Sequence, residues 1–227
     1  CRGLQHMQTD FIYEALPTRV VFGEGKLDQL LPEIERLGAK RALVLSTPQQ
    51  EAWAQQISES LGAASAGVFA GAAMHTPVSV TLTAMEHVKA SGADCLVALG
   101  GGSTIGLAKA IAVRTGLPQI AVPTTYAGSE MTPILGQTEN GIKTTMRQPV
   151  IQPKAVIYDV NLTLTLPVGM SATSGLNAMA HAVEGLADAG QHAQREHIDL
   201  HQAERVDIVL VPFDEGAVLH RGVEDGH

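Results

Sequence analysis

The sequence predicts a doubly wound α/β fold on a mainly parallel sheet. Three observations carry that expectation. Short β-branched runs alternate with helical stretches, the connections between them are short, and a glycine stands just past the end of each helical stretch.

The elements follow in order. RVVF (19–22) is the first strand run, and a helical pattern over 27–37 then stops at Gly38. RALVLS (41–46) precedes a second helix over 49–61, stopped by Gly62. AGVFA (66–70) leads to a third, which starts near Pro77 and ends at Gly92. DCLVALG (94–100) runs almost directly into a fourth, from Ser103 to about Gly116, and QIAVPT (119–124) is the last run of the series. A glycine at each stop supplies the left-handed residue that closes a helix at low steric cost. In sheets of this kind ligands bind beyond the carboxyl ends of the strands.

Composition narrows the function. The 227 residues are 45% apolar and 17% charged, a globular balance with enough chain to bury a core. A net charge of −8 argues against a nucleic-acid partner, so an anionic ligand has to be held by a local set of donors. Cys1 and Cys95 form no disulfide framework, and Cys95 lies in an apolar run as a small core residue. With no membrane-length apolar stretch and no signal-peptide pattern, the expectation is a cytoplasmic protein without a membrane partner. Met7 reads as a natural start, which leaves residues 1–6 outside the fold. The segment 187–227 differs in kind, holding five of the nine histidines, nine of the 23 acids and no lysine. It is an unassigned tail. Its His197 and His201 share a helix spacing, yet no second ligand pair accompanies them and no metal is expected there.

The most informative local feature is Leu99-Gly-Gly-Gly-Ser-Thr-Ile-Gly106. A buried strand enters three consecutive glycines, and Ser103 opens and caps a helix. Free N–H groups and the positive end of the helix dipole make such a start a seat for a diphosphate. It is neither the G-x-G-x-x-G fingerprint nor a Walker A loop, and a tight turn without a ligand is the alternative. The second feature, Val122-Pro-Thr-Thr-Tyr-Ala-Gly-Ser-Glu-Met-Thr132, also follows an apolar strand. Thr124, Thr125 and Ser129 would line the same edge with neutral hydroxyls, or serve as ordinary loop and cap residues. Two such loops after separate strands favour a dinucleotide.

GGGSTIGLAKAIA, VPTTYAGSEMTP, KTTMRQPVIQPKAVIYDVNLTLTLP and SGLNAMAHAVEGL, in this order, resemble the iron-type alcohol dehydrogenase superfamily. The opening FIYEALPTRVVFGEGKL, the MHTP at 74–77 and Tyr126 are similar to its maleylacetate reductase branch, and the likeness covers roughly 7–186. The resemblance implies a dinucleotide-binding domain over 7–160 and the beginning of an all-helical domain over 161–186. It implies NADH- or NADPH-dependent reduction of maleylacetate, a small dicarboxylate, to 3-oxoadipate by conjugate hydride addition, in a protein expected as a homodimer. By the same likeness Gly100, Gly101, Gly102 and Ser103 would meet the diphosphate, and Thr124, Thr125 and Ser129 the nicotinamide side. Another, metal-dependent alcohol or glycerol dehydrogenase branch is the alternative, as is a nucleotide-binding fragment without activity.

Three further readings concern chemistry. On a helix expected over 174–186, Asn177 and His181 share a face. Metal-dependent relatives have aspartate and histidine there, and a neutral asparagine is a weak ligand for a hard dication, so no metal is expected. His181 is the candidate for facing the developing enolate oxygen or supplying its proton. Lys143 or Arg147 is the candidate to hold a substrate carboxylate or the cofactor, against an ordinary solvated loop charge at Lys143. After RALVLS the chain reads Ser46-Thr-Pro-Gln-Gln50, without the aspartate that binds a ribose 2′-hydroxyl, and weak discrimination between NADH and NADPH is expected.

Overall fold

A computed structural model describes residues 17–176 together with 179 and 180. Six strands form one parallel sheet: β1 (Arg19–Gly23), β2 (Ala42–Leu45), β3 (Ser65–Phe69), β4 (Cys95–Gly100), β5 (Gln119–Pro123) and β8 (Ala155–Asp159). Their order across the sheet is β1-β8-β5-β4-β2-β3, every pairing parallel. The remaining strands, β6 (Ile134–Glu139) and β7 (Ile142–Arg147), form a separate antiparallel hairpin.

Four helices cover the sheet on both faces. On one, α1 (Leu30–Arg36) and α2 (Glu51–Ser60) bury Leu30, Ile34, Ala54 and Ile57 against Val44, Val97, Leu99 and Ile157. On the other, α3 (Val78–Ser91) and α4 (Gly102–Thr115) bury Ala84, Val88, Ile105 and Ile111 against Leu43, Leu96, Ala98 and Val156. Alternate residues of one strand therefore serve opposite cores, which is why the central strands read as unbroken apolar runs rather than as alternation. Each large aliphatic side chain removed from water in this way contributes about 1.5–3 kcal/mol.

The sequence expectations hold for the fold class and for all five strand runs, within a residue or two at their ends. Gly38, Gly62, Gly92 and Gly116 all adopt left-handed φ, between 52° and 74°, where the helices stop. The first two helices each begin with a short 3-10 turn, Lys26–Gln29 and Pro48–Gln50, before becoming α-helical. The sequence reading passed over β8 and the hairpin. The latter turns on Asn140 and Gly141, both at positive φ (52° and 78°), the conformation a two-residue hairpin turn requires. The helix expected from Ser174 begins earlier: helical geometry covers 168–176. Among the described residues no helix is long and apolar enough to cross a membrane.

The order of winding creates a crevice. From β2 the chain passes through α2 to β3, one step toward the near edge; from β4 it passes through α4 to β5, one step the opposite way. Because α2 and α4 lie on opposite faces, the loops leaving β2 and β4 diverge, and the carboxyl ends of these neighbouring strands open between them.

Candidate functional site

The three glycines occupy the mouth of this crevice, each differently. Gly100 has φ 147°, and a Cβ placed on it would stand 2.6 Å from Thr104 Oγ1 and 2.8 Å from Gln50 Oε1. Only glycine fits both the conformation and the space. At Gly101 the backbone is extended, but an added Cβ would meet Thr125 Oγ1 at 2.8 Å, so the loop after β5 presses directly on the turn. Gly102 has nothing within 4 Å of such an atom, and it is exposed. The turn is packed by protein up to Gly101 and open at Gly102.

The helix start differs from the sequence expectation. Gly101 is the N-cap of α4 and has no side chain to cap with, whereas Ser103 lies inside the first turn. Ser103 therefore does not cap the helix. The cause is the glycine run itself, which lets the cap fall two residues sooner, at Gly101. The result is a helix N-terminus whose first N–H groups lack a side-chain acceptor, on an open face.

The loop after β5 is fixed on both sides of the crevice. Thr124 N–H donates to Gly100 O at 3.1 Å, and the Gln50 side-chain amide donates to Thr124 Oγ1 at 2.8 Å. Thr124 is buried and Thr125 half-buried. Next to them opens a cleft of about 310 Å³, lined by Gln49, Gln50, Trp53, Thr124, Thr125 and Leu166 among others, with no charged side chain in its wall among the described residues. A second hollow of about 230 Å³ shares Trp53 and Leu162 with it. Two buried hydroxyls, Ser46 Oγ at the end of β2 and Thr104 Oγ1 in the first turn of α4, have no hydrogen-bond partner among the described residues.

The far wall is organised by Asp159, the last residue of β8. Its buried carboxylate accepts from the N–H groups of Gly25 (3.1 Å), Leu27 (2.9 Å) and Asn161 (3.1 Å). One side chain thus holds the turn after β1 and the segment that carries Leu162 and Leu166 to the cleft.

A further cluster, unnoticed in the sequence, lies behind the threonine loop. Lys109 of α4 is fully buried. Its ammonium donates to the carbonyls of Ser129, Thr132 (2.8 Å) and Ile134 (2.9 Å) and reaches Thr132 Oγ1 at 3.0 Å and Ser129 Oγ at 3.3 Å. Burial pulls it down to about 7, opposed by the nearby Glu130 carboxylate. Glu130 is itself buried and accepts from Tyr158 Oη at 2.8 Å. Burial and the Glu130 charge raise the Tyr158 phenol above its ordinary range. The signal for Lys109 was a lone cation inside the apolar run LAKAIA; nothing local announces Glu130 or Tyr158.

The remaining sequence candidates separate. Ser129 is half-buried and its hydroxyl faces Lys109. Lys143 and Arg147 are exposed on β7. Asn177, His181 and the segment 187–227 lie outside the described residues. The MHTP motif forms the loop into α3, where His75 and Thr76 both have positive φ and Thr76 Oγ1 packs against Gly106 of α4.

Comparison with known proteins agrees with this geometry. The model of the iron-containing alcohol dehydrogenase family matches residues 17–160. The maleylacetate reductase of Rhizobium sp. (strain MTP-10005) is 64% identical over 176 residues, 78% of this chain and 50% of that protein. The crystal structure of maleylacetate reductase from Agrobacterium tumefaciens matches with TM-score 0.77 at 63% identity, covering 78% of this chain and 51% of that one. Sulfoacetaldehyde reductase from Bifidobacterium kashiwanohense, solved with NAD+, matches with TM-score 0.70 at 25% identity over 78% of this chain and 54% of that one. The chain spans about half the length of the curated relatives it matches.

Proposed function

The chain belongs to the iron-containing alcohol dehydrogenase family, and from that premise we propose that it carries the nicotinamide-nucleotide site of a maleylacetate reductase. The observation that carries this reading is the open first turn of α4 at Gly102, set at the switch crevice beside an uncharged cleft. The residues fit a dinucleotide. The amides of Gly102 and Ser103 hold the diphosphate, Thr124 and Thr125 stand beside the nicotinamide half, and the cleft around Trp53 takes the remaining, flatter part. Among the described residues the wall carries Gln49 and Gln50 and no carboxylate that would repel a 2′-phosphate, which supports weak discrimination between NADH and NADPH.

When bound, the reduced nicotinamide supplies hydride to the carbon–carbon double bond that maleylacetate conjugates to its ketone, giving 3-oxoadipate after protonation. This chain's residues align the two partners and exclude water at the crevice. His181 is assigned to the developing enolate oxygen or its proton, and Lys143 to a substrate carboxylate. The metal that gives the family its name does not fit the donors read here, because Asn177 offers a neutral carbonyl where a hard dication favours a carboxylate. The reading divides the chain into a dinucleotide-binding domain (7–160), the start of a helical domain (161–186) and a tail. It places the protein in the cytoplasm as a homodimer.

The test begins with Trp53, the sole tryptophan, which lines the cleft. NADH should quench its emission saturably, and Gly102→Val should abolish the quenching while leaving the thermal midpoint within a few degrees. No quenching by the folded wild-type chain overturns the proposal. Maleylacetate is then added: turnover that survives chelation supports the metal-free reductase. Nucleotide binding without turnover supports the second reading, a nucleotide-binding unit alone.

A further inference from the structure

The buried Lys109 is unused by the chemistry above, and a fully buried lysine is costly to keep. A desolvated ammonium in an apolar helix is retained only where its donors are fully engaged. Here they engage one stretch of chain, the carbonyls of Ser129, Thr132 and Ile134 and the Thr132 hydroxyl. These groups bracket the 3-10 turn Ser129–Met131 and reach the first residue of β6. The stretch continues directly from Thr124 and Thr125, and Lys109 sits on the same helix whose first turn is Gly102–Ser103. One ammonium therefore joins the two elements that must keep register to hold a dinucleotide at both its diphosphate and its nicotinamide half. Arg114, further along α4, donates to Gln137 Oε1 at 3.2 Å and ties the hairpin to the same helix.

We propose that Lys109 is a positioning residue of the nucleotide site, fixing the 129–134 segment on α4 so that Thr124 and Thr125 stay in place against the glycine turn. It touches no ligand. The inference rests on the nucleotide reading above. A merely structural lysine would, on removal, loosen the whole domain; a positioning lysine loosens one segment and the ligand with it.

Lys109→Met keeps the stem and removes the charge. Expected is at least a tenfold rise in NADH Kd, read by Trp53 quenching. Amide hydrogen exchange should accelerate at 129–135, with protection unchanged in β4 and β5. Should Lys109→Met fail to fold, Thr132→Val, which deletes one acceptor from a part-buried position, is read instead: a two- to fivefold rise in Kd with faster exchange confined to the same segment is expected. Unchanged NADH affinity in either variant despite faster exchange at 129–135 overturns the inference alone. So does uniform loss of protection across the sheet. A wild-type chain that does not bind NADH overturns both this inference and the reading beneath it.

Discussion

The Gln50 side-chain amide donates to the Thr124 hydroxyl at 2.8 Å, bridging the loops after β2 and β5 across the end of β4. The two residues stand 74 positions apart in the chain and meet only because β4 lies between their strands. Gln50 also closes the 3-10 turn that follows β2, and the carboxyl end of that strand is where a doubly wound nucleotide-binding domain meets the ribose 2′-hydroxyl. Gln50→Glu preserves shape, keeps a partner for Thr124 and adds a negative charge. NADPH affinity should fall about tenfold or more, near 1.4 kcal/mol, with NADH affinity changed by less than about threefold. Parallel titrations with the two nucleotides measure the ratio, and equal losses for both would remove Gln50 from the specificity wall.

Gly101→Ala tests the packing of the turn. The new methyl would arrive 2.8 Å from Thr125 Oγ1 and 3.0 Å from its Cγ2, so one of the two loops must shift. Overpacking of this kind costs about 1–3 kcal/mol. Urea denaturation should show that loss, and Thr125→Ser, which removes the crowding methyl, should recover part of it in the double variant.

Asp159→Asn addresses the far wall. Its carboxylate accepts three backbone N–H groups, and an amide presents one oxygen and a donor in place of the second. A loss of about 1–3 kcal/mol is expected, because at least one buried N–H loses its acceptor. Amide exchange should quicken at Gly25, Leu27 and Asn161 before any other region.

Lys109 gives the stability a pH dependence of definite sign. Its ordinary value is 10.5 and burial brings it to about 7 in the folded chain. Between those values the unfolded chain binds the extra proton, so stability rises with pH across that window and falls as pH drops toward 7. Urea midpoints at pH 7, 8 and 9 should climb for the wild type and flatten for Lys109→Met. Identical slopes in the two proteins would assign the dependence elsewhere.

Much of this was legible in the chain itself. Strand runs such as DCLVALG and the glycine stops follow local rules, and so did the turn at 100–102, since three glycines between a strand and a helix have few other uses. The Asn140-Gly141 dipeptide between β-forming runs carried the hairpin signal in full, and it was masked by its nearness to the longer motif around Lys143. Other features had no local trace. That Gly101 leaves no room beside Thr125, or that Glu130 meets Tyr158, depends on strand order, and strand order is not written in any window of sequence. Lys109 marks the boundary: its oddity is visible, its purpose is not. His181 and Asn177, the candidates for the proposed chemistry, lie outside the described residues.

The crevice between β2 and β4 comes from the direction in which the chain leaves each strand, not from any one side chain. Its address is set by topology, and mutation can change the tenant far more easily than the location. A re-engineered version of this domain could be given a different guest by rewriting a handful of loop positions, with the twin cores above and below the sheet left as they stand.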